Sequence, residues 1–316
     1  MRFIVIFFAL LACSNNDKDT AAGAPDNAVS LIREFPAPPA GGVQLHTPEY
    51  RIPAFSEKQF CWFSRWENGD AGINYQATYQ SENGHHVVLM KTLADEDEFP
   101  DGTVFDCTEK ASLPMTEMEP IIFGRGIASD SNETTLDLGQ TMAVKINDGT
   151  RIVMQSHYIN PTPDEIIVSD AINLGVVAEE QVQVWAAPFA HTALDFEIPA
   201  GQTTSIRFDC TWEDDATILF LGGHLHEWGT AFSLDWTSGD NTERIYEITE
   251  WDPDFRDRPP VNEYADGDLT VTAGDVFTTT CTWNNTTSQA LHFPEEMCVT
   301  FGFAYESKVP LICAPQ

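Results

Sequence analysis

The chain has 316 residues, which is enough for two domains that each bury a hydrophobic core. Its 49 acidic and 16 basic residues give a formal net charge of -33 at pH 7, so the chain would repel nucleic acids and anionic membrane surfaces, and neither is expected as a direct ligand. A hydrophobic content of 42% and an aromatic content of 11% are typical of a folded globular protein and exclude a disordered acidic chain.

The amino terminus has the pattern of an export signal over residues 1–12. The apolar run Phe3–Ala12 is too short to span a bilayer as a helix, but it suits the hydrophobic region of a signal peptide. The sequence Leu10-Leu11-Ala12-Cys13 resembles a bacterial lipobox, in which the cysteine is lipidated, and Ser14 favours the outer membrane. The alternative is an ordinary cleaved signal peptide in which Cys13 is incidental. We therefore expect an exported protein of the bacterial cell envelope, an outer-membrane lipoprotein in the first case.

The region after the signal predicts a linker followed by strands. Residues 13–45 are small, polar and proline-rich, as in a flexible linker. Beyond them, apolar residues recur with a period near two between turn signals, and no long segment has a helical period. We predict an all-β fold of two jelly-roll-like antiparallel β-sandwich domains in tandem, 46–187 and 188–316, with the boundary near Pro188. The main predicted strand regions are Thr150–Ile159, Gln181–Trp185, Thr204–Trp212, Thr217–Trp236, Leu269–Trp283 and Met297–Tyr305.

Six cysteines remain when Cys13 is set aside. An even number in an exported protein predicts disulfides, although the spacing does not choose among the pairings. The absence of a C-x-x-C motif argues against a zinc ribbon or a thioredoxin-like site. The six are Cys61, Cys107, Cys210, Cys281, Cys298 and Cys313.

Two pairs of closely spaced histidines are candidate metal ligands. His224 and His226 lie two residues apart in a predicted strand, so both imidazoles would point to one face; two solvated surface histidines are an equal alternative. His85 and His86 are adjacent and would diverge in a regular strand. They can share a metal only at a strand entry or a β-bulge, for which Gly84 supplies a place.

The type of metal follows from ligand chemistry. Imidazole suits zinc, copper, iron and nickel, whereas a thioether ligand selects Cu(I) over zinc. The sequence has no H-E-x-x-H motif, which argues against a zinc peptidase. The residues by themselves therefore predict an exported β protein with a candidate metal site.

Four short segments contain the candidate ligands and occur in an informative order along the chain. They are GHHVVLM at 84–90, QSHYINP at 155–161, GHLH at 223–226 and EEMCV at 295–299. In order and approximate spacing they resemble the copper type II, ascorbate-dependent monooxygenases, the family of dopamine β-hydroxylase and the peptidylglycine α-hydroxylating monooxygenase. The resemblance spans about residues 46–316, and the last segment is more similar to the dopamine β-hydroxylase branch.

The resemblance implies two copper ions, with O2 and with ascorbate or another one-electron donor as co-substrates. It implies that three histidines hold the electron-transfer copper, and that two histidines and a methionine hold the copper where oxygen binds and substrate is hydroxylated. It also implies the disulfides Cys61–Cys107, Cys281–Cys298 and Cys210–Cys313. The implied ligands are His85, His86 and His157 for the first site, and His224, His226 and Met297, the implied catalytic residues, for the second.

The sequence departs from the peptide-hydroxylating branch at the substrate. That branch anchors a substrate carboxylate with an arginine two residues before the H-x-H pair and an aromatic hydroxyl four residues after the methionine, and these positions are Gly222 and Phe301 here. We therefore expect a small-molecule substrate that is not a C-terminal glycine peptide. Strand phase predicts that Gly222 and Trp228 share a face with His224 and His226, with Trp228 either a wall of the substrate pocket or a core residue.

The other residues of interest have structural alternatives. Gln155 matches a position proposed for the electron route, but a strand residue that hydrogen-bonds a neighbour is at least as good an interpretation. His46, His191 and His292 match no ligand of the family and are interpreted as structural or surface residues.

These predictions together indicate an exported copper-dependent monooxygenase that hydroxylates a C–H bond of a small organic molecule. A copper-binding or copper-delivery lipoprotein without turnover is the first alternative. A zinc hydrolase on a β-sandwich is the second.

Overall fold

The computed structural model describes residues 28–107, 118–122, 133–256, 259–264, 267–293, 295–305 and 311–313. The predicted signal peptide and Cys13 lie outside these residues. No helix in the described ranges has the length and hydropathy needed to cross a bilayer. In the part of the chain that the structure describes, two short 3₁₀ turns, Glu179–Gln181 and Pro253–Arg256, interrupt the strands.

The described residues form strands in both halves of the chain. In the amino half these are β1 Val29–Ser30, β2 Val43–His46, β3 Tyr50–Ile52, β4 Ser56–Arg65, β5 Ala71–Gln80, β6 Gly84–Thr92, β7 Val104–Asp106, β8 Met118–Ile122, β9 Glu133–Asp137, β10 Met142–Ile146, β11 Arg151–Asn160, β12 Ile166–Val168 and β13 Asp170–Ala178. They continue with β14 Val184–Thr192, β15 Glu197–Ile198, β16 Thr203–Thr211, β17 Ala216–His224, β18 Gly229–Ser238, β19 Asn241–Ile248, β20 Val261–Glu263, β21 Thr270–Val271, β22 Val276–Asn284, β23 Leu291–His292, β24 Val299–Tyr305 and β25 Leu311–Cys313.

The amino half is built around a sandwich of two sheets, with β1-β12-β3 as a separate three-stranded sheet. A sheet in the order β7-β4-β11-β6-β8 faces the β2-β13-β5-β10 part of a larger sheet. Ile152 and Met154 of β11 point into this core with Ile73 and Ile172 of the opposite sheet. Val153 points to the other face, where it packs with Phe63 and the Cys61–Cys107 disulfide. Because both faces are covered here, the run Ile152–Met154 of β11 is apolar on both sides of the pleat.

The carboxyl half repeats this arrangement. The sheet β16-β22-β18-β19 packs on the β14-β24-β17-β20 part of the large sheet. Large buried side chains fill the space between the two sheets: Phe189, Trp212, Phe232, Phe277 and Trp283. The predicted all-β fold with stacked antiparallel sheets is confirmed.

Strand β14 connects the halves. Its first residues pair in parallel with β10 (Met142 with Val184), and its later residues pair antiparallel with β24 (Ala186 with Tyr305). The predicted boundary between residues 187 and 188 therefore lies inside a strand, and one sheet runs through it.

The predicted flexible linker over 13–45 is wrong for its last part. Within the described residues, β1 pairs with β12, β2 pairs with β13, and Asn173 Nδ2 donates to the Pro36 carbonyl at 2.9 Å. Pairing with β12 and β13 satisfies the backbone N–H and C=O groups of this segment. The proline-rich composition gave no sign of this pairing.

The three disulfides have the pairing that the family resemblance implies. Cys61–Cys107 ties β4 to the segment after β7, and Cys281–Cys298 ties β22 to the segment before β24. Cys210–Cys313 joins residues 103 positions apart, which in the chain-entropy model stabilises the fold by up to ~4.7 kcal/mol. This bond fixes β25 near the end of the chain.

Candidate metal centres

The first cluster of imidazoles lies on the five-stranded sheet. His157 belongs to β11, and His85 and His86 open the neighbouring β6. His157 pairs with His86 while Tyr158 pairs with Gly84, so His85 is the extra residue of a β-bulge. Of the two arrangements that the sequence left open, a strand entry or a β-bulge, the structure has the bulge, and it brings both adjacent histidines to His157.

Gly84 is required by close packing at this bulge. A Cβ atom on Gly84 would lie 2.5 Å from Cβ of Gln80, closer than two carbon atoms approach. Gln80 itself holds the bulged strand, since its Nε2 donates to the His86 carbonyl at 3.1 Å. Asn83, before the glycine, adopts the positive φ of 67° that the turn needs.

The three rings are close enough to hold one ion. The ring centroids are 4.5 Å apart for His85 and His157, 4.9 Å for His86 and His157, and 5.4 Å for His85 and His86. One ring nitrogen of each residue lies within 4.8 Å of the others. Nδ1 of His85 is 2.8 Å from Nδ1 of His157. Two metal–nitrogen bonds of about 2.0 Å at a right angle span about 2.8 Å, so this pair has the spacing of two ligands on one ion.

The cluster has a buried and an accessible side. His157 is completely buried, whereas His85 and His86 are half-buried. Glu57 on β4 lies beside the buried ring, with Oε1 2.7 Å from Nε2 of His157. The sequence interpretation missed Glu57, because one acidic residue among 49 has no recognisable pattern.

The second cluster is built differently from the prediction. His224 is the last residue of β17, but residues 225–228 form a turn before β18, so His226 and Trp228 are not in a strand. The prediction that strand phase aligns them with Gly222 is therefore wrong. The turn nevertheless brings the rings of His224 and His226 to 4.9 Å in an edge-to-face arrangement.

Glu296 holds the turn in place. Its completely buried carboxylate accepts hydrogen bonds from the backbone N–H of His226 at 2.9 Å, from the backbone N–H of Trp228 at 2.8 Å and from the indole of Trp283 at 2.8 Å. Burial raises the pKa of Glu296 above its ordinary value, and these donors act against that rise. The acid that precedes the candidate methionine ligand thus joins two distant segments, a role that the sequence interpretation missed.

Met297 is held close to the histidine turn by its neighbours in the chain. Glu296 before it binds the backbone of His226, Cys298 after it is fixed to Cys281, and Val299 pairs with His224. Met297 itself is half-buried and precedes β24. Nδ1 of His226 donates to the Glu295 carbonyl at 3.0 Å, so Nε2 of this ring carries the lone pair.

These donor sets fit copper. The first cluster offers three imidazoles with two Nδ1 atoms at ligand spacing. The second offers the imidazoles of His224 and His226, and Glu296 binds the turn that contains His226 to the segment that carries the thioether of Met297. Imidazole suits Cu(II) and Cu(I), and a thioether favours Cu(I).

The two positions that anchor a carboxylate in the peptide-hydroxylating branch face each other here. Gly222 pairs with Phe301, and a Cβ atom on Gly222 would lie 2.9 Å from Cζ of that ring. Trp228 packs against the core of the carboxyl half, as in the core interpretation, and Glu227 is exposed.

The other histidines and Gln155 have structural surroundings. His191 is buried among Phe189, Trp212 and Phe277, where burial lowers its pKa to about 3 and keeps it neutral. His46 and His292 are exposed and donate to backbone carbonyls. Gln155 Nε2 lies 4.0 Å from the sulfur of Cys107, beside the disulfide of β4.

No protein-family model and no curated protein matches the chain. Among solved structures, it is similar to the major capsid protein P2 of bacteriophage PM2, with 9% identity, 84% of this chain and 98% of that chain covered, and a TM-score of 0.36. It is also similar to a structure of infectious bursal disease virus, Gx strain (11% identity, 84% and 72% covered, TM-score 0.20). A third is a putative secreted protein from Eubacterium rectale (10% identity, 86% and 72% covered, TM-score 0.23). Function is therefore inferred from the site residues themselves.

Proposed function

We propose that the chain is an exported copper-dependent monooxygenase that hydroxylates a C–H bond of a small organic substrate. The observation that carries the proposal is the convergence of His85, His86 and His157 at a β-bulge, with two Nδ1 atoms 2.8 Å apart. A bulge that turns adjacent imidazoles toward a third is costly to build, because it leaves a ladder position unpaired. Such an arrangement is typical of a metal site.

The two candidate centres have different donors, which favours catalysis over simple metal capture. The first is built from imidazoles, which bind both copper oxidation states, and the second adds the thioether of Met297, which favours the reduced state. When bound, copper supplies one-electron transfer at the first centre and oxygen activation at the second. Hydrogen bonds to the Glu57 carboxylate and to the Glu295 carbonyl fix the tautomers of the His157 ring and the His226 ring, respectively. A copper-capture protein would need only one of these centres.

The surroundings of His224 favour a substrate without a carboxylate. Gly222 and Phe301 place an aromatic ring over backbone at the positions where the peptide-hydroxylating branch carries an arginine and an aromatic hydroxyl. The net charge of -33 also repels anions over the whole surface. We expect a neutral or cationic small molecule.

Export is part of the proposal because of the disulfides. Disulfides persist in oxidising compartments and are rare in the cytosol. The three pairs account for all six cysteines that follow Cys13. Lipidation of Cys13 in the outer membrane remains the prediction from the lipobox pattern.

The test loads the full chain with copper, supplies ascorbate, and follows oxygen uptake with a panel of aromatic and aliphatic amines and neutral alkyl compounds. We expect two coppers per chain and ascorbate-dependent uptake coupled to hydroxylated product. Stoichiometric copper binding without turnover would support a copper-binding or delivery protein instead. Preference for zinc over copper would contradict the proposal.

A methionine substitution tests the second centre. Met297→Ile should lose hydroxylation and one of the two coppers while the first centre stays loaded, because a hydrocarbon side chain offers copper no donor atom. Met142→Ile, at a half-buried methionine of β10, is the matched control and should retain both. Full activity of Met297→Ile would contradict the ligand assignment.

A further inference from the structure

Glu57 is hydrogen-bonded to one of the three imidazoles of the first centre. Its Oε1 accepts a hydrogen bond from Nε2 of His157 at 2.7 Å, and it reaches this nitrogen from β4, the strand next to β11. The imidazole is completely buried, whereas the Glu57 side chain is 51% exposed. We propose that Glu57 is the positioning residue of this centre: it fixes the tautomer and orientation of His157 and strengthens it as a copper ligand. This inference rests on the proposed copper function.

The tautomer follows from the hydrogen bond. A carboxylate only accepts, so the proton of the neutral His157 ring resides on Nε2 and the lone pair resides on Nδ1. Nδ1 is the atom that lies 2.8 Å from Nδ1 of His85. The bond to Glu57 therefore aims the lone pair of His157 into the three-histidine cluster.

The carboxylate also changes the strength of the ligand. A carboxylate that accepts from the distal nitrogen of a metal-bound histidine raises the basicity of the ring and fixes its orientation, and its loss weakens metal binding about 10- to 100-fold. A more basic imidazole stabilises the more highly charged ion, so Glu57 should favour Cu(II) over Cu(I). Its removal should then raise the reduction potential of the centre.

Glu57 also has a cationic neighbour from the other half of the chain. Nη2 of Arg256, in the 3₁₀ turn after β19, lies 4.0 Å from Glu57 Oε1, the oxygen that accepts from His157. A cation at this distance is one exposed contact and contributes little to stability.

The experiment confines copper to the first centre. In the full chain, His224→Ala with His226→Ala removes the second pair of imidazoles, and Glu57→Gln and Glu57→Ala are compared in that background. The control is Asp106→Asn, which removes one negative charge from β7 beside β4, where the carboxylate binds Lys58 at 2.6 Å. The readouts are Cu(II) and Cu(I) affinity by competition titration, the reduction potential, and the Cu(II) electron paramagnetic resonance spectrum.

The two substitutions separate orientation from charge. Glu57→Ala should weaken Cu(II) binding 10- to 100-fold and broaden the spectrum, because the ring is no longer held. Glu57→Gln keeps an oxygen that accepts from Nε2, so Cu(I) affinity and a single spectral species should be retained. It lacks the charge, so a tenfold loss of Cu(II) affinity relative to Cu(I) should raise the potential by about 59 mV.

The outcomes distinguish this inference from the proposed function. If both Glu57 variants match Asp106→Asn in affinity, potential and spectrum, the positioning role is wrong while the copper centre stands. If the background chain with Glu57 intact binds no copper, the centre does not exist and both proposals are wrong. Glu57→Gln decides the question should Glu57→Ala fail to fold.

Discussion

Replacement of Glu296 by glutamine should destabilise the carboxyl half and its candidate centre. The carboxylate binds three donors: Oε2 accepts from the backbone of His226 and from the indole of Trp283, and Oε1 accepts from the backbone of Trp228. An amide has only one accepting oxygen. In its better orientation, Glu296→Gln keeps two of these bonds and turns an NH₂ group toward the N–H of Trp228.

The size of the effect follows from that orphaned donor. A buried polar group left without a partner costs about 1–3 kcal/mol, and the two remaining bonds weaken because the acceptor is no longer charged. We expect Glu296→Gln to lower the free energy of unfolding by about 2–3 kcal/mol. Glu296→Ala orphans all three donors and should cost more. The turn that carries His226 should loosen in both, which weakens copper at the second centre and leaves the first centre intact.

The assay is urea unfolding of the metal-free chain followed by copper titration. Glu295→Gln is the matched control, because this exposed neighbour loses the same charge while its amide oxygen can still accept the one bond from the His292 backbone, 3.2 Å in the parent. Its free energy of unfolding should change by less than about 0.5 kcal/mol. Equal stability of Glu296→Gln and Glu295→Gln would show that Glu296 does not hold the turn.

Two further predictions concern the amino half. Burial raises the pKa of Asp170 from 3.8 to about 6. Between these pH values the folded state keeps a proton on Asp170 that the unfolded state has lost. The free energy of unfolding therefore falls as pH rises from 3.8 to about 6, by up to about 3 kcal/mol at 1.36 kcal/mol per pH unit. Asp170→Asn, which can still accept from Tyr158, should be more stable than the parent above pH 6 and should lose this dependence in urea unfolding from pH 4 to pH 7.5; an unchanged pH profile would contradict the assignment. Gly84→Ala should lower the copper affinity of the first centre at least about tenfold, because the new methyl group would overlap Gln80 and the bulged backbone would have to move. The affinity is measured by copper titration, and an unchanged value would show that the bulge is not required.

The sequence was sufficient to predict those features that follow from residues close together in the chain. Alternating apolar residues specify strands, so the all-β fold was predictable. Adjacent histidines after a turn glycine converge only at a strand entry or a bulge, and the structure has a bulge at His85. The disulfides were predictable from the family resemblance, because the spacing of cysteines alone leaves the pairing open.

The sequence was insufficient where the outcome depends on distant segments. The run Thr217–Trp236 keeps a strand period across the turn at 225–228, so periodicity could not show that His226 leaves the strand. Strand β14 joins two halves because its two ends pair with different partners, which is a property of the sheet and not of residues near Pro188. Glu57 and Glu296 gain their roles only when β11 and the histidine turn are packed against them.

The two carboxylates act on different parts of their candidate centres, and their burial explains the difference. Glu57 is half-exposed and binds a ligand side chain, so its loss changes the tautomer and basicity of His157 while water can replace the carboxylate at little cost to the fold. Glu296 is completely buried and binds backbone N–H groups, where water cannot follow, so its loss changes the path of the chain at His226. The electronic properties of the first centre are therefore adjustable by substitution of its carboxylate, whereas the geometry of the second is coupled to the stability of the domain that holds it.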